Sequence, residues 1–474
     1  MFIYPQANRW GPMQAGAELR ELSSTRGALA SSRRWRTGVA LVLVPLLAAA
    51  QEVGGPCSGP CSGPGGHGAA SVSFDPWPVE PQVFAPNPVA ASGEPREYES
   101  DGLDRGYRPR LFDGVAGILR RQFFDAEFRR GPLAELERRY RDLAESAESL
   151  GEERGIVQRF LSQIPISHLA LYSRPTHDRL MAELACRSGA TFGFQLTRLG
   201  DDFFVDKVLE GGPASDSGLA RGDRVLEIDG VPPSASPRLD WRSDDAALPD
   251  PPLHGMLCEI GEEVELLVER RSGERSRGSV VARSYSACEA SAASAEVIDV
   301  EGTDGTEIHR IGYVHLWFVA SPATGDLVSE LVSGSFADCD GLLLDLRGRG
   351  GNGNEVARLT GLLSRLWARP VILLTDRGTR SAKELIAHRM QSSGAALVVG
   401  ERTAGAVIPA SFRRIGSEAV LMFPRTTLGQ FTDILEGSGV EPDIEISDRL
   451  AYAAGSDPIR EAGVLAMGVW LDEE

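Results

Sequence analysis

Lysine is nearly absent from this chain. Its 474 residues include only Lys207 and Lys383, and arginine carries almost all the positive charge. Any mechanism that needs a lysine base therefore has two candidates. Histidine is scarce as well, at seven residues, so few imidazoles compete for proton transfer near neutral pH. No C-x-x-C pair occurs among the six cysteines, which removes the usual mark of a structural zinc site. Cys57 and Cys61 lie in a Pro/Gly/Ser tract, and pairing among Cys186, Cys258, Cys288 and Cys339 cannot be read from spacing, although six cysteines fit an oxidising compartment. A net charge of -18 with a pI near 5.0 leaves no extended basic patch of the kind that nucleic acid or an anionic membrane demands. The expectation is no nucleic-acid partner, no metal and no organic cofactor.

Long apolar runs are also rare. One stands out, RRWRTGVALVLVPLLAAA at residues 33–50, with a basic start, an apolar middle and small residues ending in an A-x-A pattern. It reads as a secretory leader; the alternative is a membrane anchor, against which stand the short run and Pro45. About thirty residues precede it without an evident role, and Met13 is an alternative start. Residues 51–100, rich in Gly, Pro and Ser (GGPCSGPCSGPGGHG), lack the apolar periodicity to bury a core and read as a disordered linker. The predicted location is periplasmic or extracellular, with membrane tethering if the leader is retained.

What is present falls into three segments. In residues 101–190, LFDGVAGILRRQFFDAEFRR, PLAELERRYRDLAES and ERGIVQRFLSQI space apolar residues at three and four, as packed amphipathic helices do. Residues 191–290 hold short alternating strands, a helix-like PASDSGL, then GDRVLEIDG and, after an insertion rich in Pro and Asp, GEEVELLVERR. This order resembles a PDZ domain. The resemblance puts FGFQL at the carboxylate-binding loop, so that backbone N–H groups near Phe192, Gly193, Phe194 and Gln195 receive a terminal carboxylate while a peptide adds as a strand. Residues 300–474 interleave apolar strands (IGYVHLWFV, GLLLDLRG, PVILLTD, ALVVG) with helical patterns, which predicts a largely parallel sheet covered on both faces. The fold class is thus multidomain α/β: a helical domain, a PDZ-like β domain and an α/β core with a C-terminal helical tail.

Sites in such sheets gather at the carboxyl ends of the strands, where LRGRGGNGN and RGTRSAKE lie. Ser381, between an apolar strand and a helix start, is either an N-cap or a nucleophile presented outward beside the N–H of Ala382. Gly350 and Gly351 on the neighbouring strand end can bring a second N–H to an oxyanion without a side chain in the way.

GLLLDLRGRGGNGN, TDRGTRSAKELIAH and GERTAGAV, followed by GSGVEPDIEI, resemble the successive motifs of the C-terminal processing (tail-specific) serine peptidase superfamily, over roughly Leu111 to Val464. The resemblance implies a ClpP/crotonase-like core behind a PDZ domain, and a nucleophile three residues before a helix glutamate, which is Ser381 before Glu384. The branch with a Ser-Lys dyad carries its lysine after the glycine of the GExTxG segment, where this chain has Ala406. Lys207 lies in the PDZ-like segment, and Lys383 is about 200 degrees around the helix from Ser381. The tricorn-type branch is the closer likeness. There the base is a histidine preceded by serine ahead of the PDZ domain, as in QIPISHLALYS. The resemblance implies His168 as base, Ser167 orienting it, and Glu436 as the acidic residue that orients the pair.

His388 follows Ser381 by seven positions, about 10 Å along a helix, and His315 sits on a strand where a structural role is expected. The chain departs from the family pattern in three places: Asn352 replaces a third glycine, no aspartate precedes Ser167-His168, and Arg380 and Lys383 flank the serine. The expected function is an exported serine endopeptidase acting on protein or peptide substrates, with oligomeric state left open. The rival is a catalytically inactive relative that binds protein C-termini through its PDZ module.

Overall fold

The computed structural model describes residues 108–239, 253–302, 305 and 307–473; the leader and the linker expected at 1–100 lie outside them. The chain starts with α1 (Leu111–Gln122), α2 (Ala126–Arg130), α3 (Pro132–Glu145) and α4 (Leu150–Leu161). α1 buries Leu111, Phe112, Val115, Ala116 and Leu119, the apolar stripe its spacing predicts. α3 opens on Pro132 at a position where a missing N–H costs nothing, and the Ser149 side chain caps α4 by accepting from Glu152 N–H. Strand β1 (Ala170–Ser173) and α5 (Arg174–Leu184) follow.

The next module comprises β2 (Gly189–Thr191), β3 (Phe194–Leu199), β4 (Asp202–Val208), α6 (Pro213–Ser217), β5 (Arg224–Ile228), β6 (Leu253–His254), β7 (Glu263–Glu269), β8 (Arg275–Val281) and β9 (Arg283–Tyr285). Its six-stranded sheet has the order β6-β3-β4-β5-β7-β8, every pairing antiparallel. β2 and β9 pair at its neck, where a disulfide joins Cys186 to Cys288, with the whole module inside its loop.

The last module runs α7 (Ala287–Ala293), β10 (Glu296–Glu301), β11 (Ile308–His315), α8 (Pro322–Ser333), β12 (Gly341–Asp345), α9 (Gly353–Leu366), β13 (Val371–Thr375), α10 (Ala382–Ser392), β14 (Leu397–Gly400), β15 (Ala410–Ile415), β16 (Ala419–Pro424), α11 (Gln430–Leu435), β17 (Ile444–Glu445) and α12 (Pro458–Glu473). The sheet order is β10-β11-β12-β13-β14-β17; β10 joins antiparallel and the other pairings are parallel. Every residue of GLLLD and VILLT is buried, because helices cover both faces. Leu342, Leu344, Val371 and Leu373 pack toward α9 and α10, while Leu343, Ile372 and Leu374 pack toward Ile459, Ala462 and Met467 of α12.

One pairing was not legible beforehand. The segment after Ser167-His168 ends as β1, a strand that pairs antiparallel with β16 of the α/β module, with Leu171 opposite Leu421. The helical core continues into the same place: Leu119, Phe160 and Leu169 share one apolar cluster with Ile408, Leu421 and Phe423. The helical module is therefore built onto the β15–β16 hairpin and the end of the loop that leads into it.

Candidate active site

Strand β13 delivers the chain to the carboxyl edge of the sheet, and after a turn through Asp376 and Thr379 it enters α10 at Ser381. Ser381 has φ 57° and ψ −124°, a backbone conformation that costs a non-glycine residue energy and persists only where its surroundings enforce it. The enforcing contacts are visible. Its N–H donates to the Ala406 carbonyl at 2.8 Å and to the Glu384 carboxylate at 3.1 Å. Glu384, fully buried, also accepts from the Thr403 hydroxyl at 2.6 Å and from the N–H groups of Gly405 and Ala406 at 2.7 and 2.8 Å. Burial raises its pKa to about 7 against the pull of these donors. This carboxyl ties the turn at Ser381 to the GERTAGA loop. Sequence reasoning used Glu384 only to locate the serine, although the S-x-x-E spacing is a capping-box signal that points to such a contact.

Gly350 meets the serine from the neighbouring strand end. A side-chain carbon at Gly350 would sit 2.8 Å from Ser381 Cβ and 2.6 Å from the Arg380 carbonyl, and one at Gly351 would sit 2.0 Å from the Val319 carbonyl. Only glycine fits at either place. Among the described residues none accepts a hydrogen bond from the N–H of Gly350, Gly351 or Ala382. Asn352 has another duty: its N–H donates to Val319 at 2.8 Å, and its side chain caps α9 by accepting from Asn354 N–H at 3.0 Å. The third glycine is dispensable here because that residue takes ordinary extended angles, φ −99° and ψ 126°.

On the other side of the GERTAGA loop stand Ser167, His168 and Glu436. Glu436 accepts from Ser167 N–H at 3.0 Å and, through its second oxygen, from the N–H groups of Val407 and Ile408 at 2.9 and 3.0 Å. The Ser167 hydroxyl bonds His168 Nδ1 at 2.9 Å. His168 also has positive φ, 56°, and is buried. Burial, with the Arg380 guanidinium adding to it, lowers the imidazole pKa to about 3, so the ring is neutral at pH 7. Residues 406–408 thus join the two groups: Ala406 holds Ser381 by its carbonyl, and Val407 and Ile408 hold Glu436.

The two lysines are committed elsewhere. Lys383 is wholly buried and donates to the carbonyls of Trp317 and Arg347 at 3.1 and 2.9 Å; burial lowers its pKa to about 7. It braces the strand ends beneath the glycine loop, instead of flanking the serine with exposed charge. Lys207 belongs to β4, yet its ammonium lies 3.3 Å from Asp376 and 3.6 Å from Asp206; burial disfavours the charge, but the two carboxylates outweigh it and raise the pKa. His315 is buried with Glu210 and the Arg347 carbonyl at 3.4 Å, and His388 lies against Phe431.

The PDZ-like loop departs from expectation. Phe192 and Phe194 are buried, and Gly193 N–H, expected to be available for a carboxylate, donates to the Thr191 hydroxyl at 2.9 Å. Phe192, Phe194 and Gln195 line a cavity shared with Trp317, Phe318 and Gly348 of the α/β module.

Residues 354–446, which hold Ser381, Glu384 and Glu436, match the model described as Peptidase family S41. Three of the four motifs that carry the resemblance, TDRGTRSAKELIAH, GERTAGAV and GSGVEPDIEI, fall within this match. Residues 184–240 match the PDZ domain model. A carboxyl-terminal-processing protease from Picosynechococcus sp. is 26% identical over 224 residues, covering 42% of this chain and 49% of its own. The chain thus spans about half the length of that curated relative. Among solved structures, the photosystem II D1 C-terminal processing protease is 19% identical, with 74% of this chain and 97% of that one covered and a TM-score of 0.43. The tricorn protease is 15% identical, with 76% and 36% covered and a TM-score of 0.43. Ala406, at the position that the motif resemblance gives to the lysine of the dyad branch, uses its backbone to hold both Ser381 and Glu384.

Proposed function

We propose that the chain is a serine endopeptidase that hydrolyses peptide bonds in protein or peptide substrates. Ser381 Oγ attacks the peptide carbonyl and His168 accepts its proton, later returning it to the leaving amine. Ser167 and Glu436 hold the imidazole segment, and the N–H groups of Gly350 or Gly351 and of Ala382 receive the developing oxyanion. One observation carries the reading. A single buried carboxylate, Glu436, binds the Ser-His segment with one oxygen and residues 407–408 with the other, next to the residue that fixes Ser381. A neutral, buried imidazole on the segment that Glu436 ties to residues 407–408, together with a strained serine that Gly350 approaches without a side chain in the way, is an arrangement suited to acyl transfer.

The same reading divides the chain into a helical segment at 101–190, a PDZ-like segment at 191–290 and a peptidase segment at 300–474, and has it exported. The Cys186–Cys288 disulfide supports an oxidising destination.

A fluorophosphonate probe is expected to label the parent and to leave Ser381→Ala unlabelled. His168→Ala should abolish peptide cleavage, while His315→Ala and His388→Ala retain most of it. No labelling of the parent, or persistent labelling of Ser381→Ala, would favour the catalytically inactive adaptor.

A further inference from the structure

A PDZ-like module takes up a peptide along the free edge of the strand that follows its carboxylate loop, here β3. In this protein that edge is occupied. β3 is not an edge strand: β6 covers it, antiparallel, with Leu196 opposite His254 and Thr197 opposite Leu253. β6 is the return of the chain from the insertion after β5, and a peptide added as a strand to β3 would need its place.

The residues after β6 are fastened on three sides. Met256 is buried among Phe192, Leu196 and Val264 in the core of the module and bridges to Leu239. Leu257 N–H donates to the Arg238 carbonyl at 2.7 Å. Arg179, on α5 of the helical module, donates from its guanidinium to the Met256 carbonyl at 2.8 Å. In the loop itself the Gly193 N–H is taken by the Thr191 hydroxyl.

We propose that Leu253–Met256 is a built-in strand ligand of the PDZ-like module, latched by Arg179, which keeps β3 closed to incoming peptide strands. A tethered strand competes at an effective concentration in the millimolar range, so an external peptide meets an apparent affinity lowered by the small fraction of modules whose edge is open. Release of the latch opens that edge. Because Arg179 sits on the element that follows Ser167-His168 and β1, the latch links the state of the module to the segment that carries His168. This inference concerns peptide binding and does not depend on Ser381 being a nucleophile.

The test uses the full chain carrying Ser381→Ala, so that nothing is cleaved. A fluorescent ten-residue peptide with apolar side chains and a free C-terminus is titrated by anisotropy, with Arg179→Gln as the latch variant. Binding is expected to be weak in the parent background and at least about tenfold tighter in Arg179→Gln. Hydrogen exchange reports the same event without a ligand: amides of residues 194–199 and 253–256 should be protected in the parent and exchange faster in the variant while the β11–β13 amides stay unchanged. Equal affinity in both backgrounds, no binding in either, or unchanged exchange at these residues would each overturn the proposal. Loss of protection throughout the chain would mark an unfolded variant. The comparison is then made with Arg179→Lys, which keeps a donor and is expected to fall between the two.

Discussion

At the residue scale the site turns on how burial sets charge. His168 is a histidine that refuses its proton, since the imidazolium would have to sit in a buried place next to Arg380. The sign of the consequence for stability follows from the two states. With the folded pKa near 3 and the ordinary value at 6.5, only the unfolded chain takes up a proton between those limits. The contribution of His168 to stability is therefore complete above pH 6.5 and declines as pH falls toward 3. By pH 5 this amounts to about 2 kcal/mol, measured as a shift of the denaturation midpoint that His168→Ala removes. The acid limb of kcat/KM should lie well below the ordinary histidine value, and a limb centred at 6.5 would count against His168 as the base.

At the element scale, the decisive fit is that between the glycine turn after β12 and the start of α10. The approach of Gly350 to Ser381 leaves no room for a methyl group, which would fall at 2.8 Å from Ser381 Cβ. Gly350→Ala is expected to push the two turns apart and displace the N–H proposed to receive the oxyanion. The predicted loss in the rate of fluorophosphonate labelling is roughly 100-fold or more, with the global fold kept as judged by circular dichroism. Gly353→Ala, where a side chain meets open space at the start of α9, is the control and should keep nearly the parent rate.

At the scale of the whole molecule, the disulfide encloses the PDZ-like module in a loop of 102 residues. Closing a loop of this size restricts the unfolded chain strongly, and the pair Cys186→Ser and Cys288→Ser should cost about 2–4 kcal/mol in denaturant unfolding. The opposite outcome, no change in the midpoint on reduction, would mean that the β2–β9 pairing and the apolar cluster around Ala287, Trp317 and Phe318 hold the neck without the disulfide. The three modules also share their chemistry across boundaries. Lys207 of the PDZ-like sheet pairs with Asp376 at the end of β13, and the same carboxylate accepts from Gly348 N–H at 2.8 Å.

Much of this could be read from the residues alone. Apolar runs such as GLLLD and VILLT determine buried parallel strands, because only strands covered on both faces have no polar side. The scarcity of lysine, with Ala406 at the dyad position, set aside the lysine base, and the order of motifs singled out Ser381, His168 and Glu436. The sequence could not say that Lys383 braces two strand ends, that Cys186 pairs with Cys288, or that β6 lies on β3, for these contacts join residues tens of positions apart through packing that no local period records. Nor could it bring residue 168 to the loop at 406–408. That depended on β1 pairing with β16 and on a helical core completed by side chains from the opposite end of the chain, which only the folded molecule assembles.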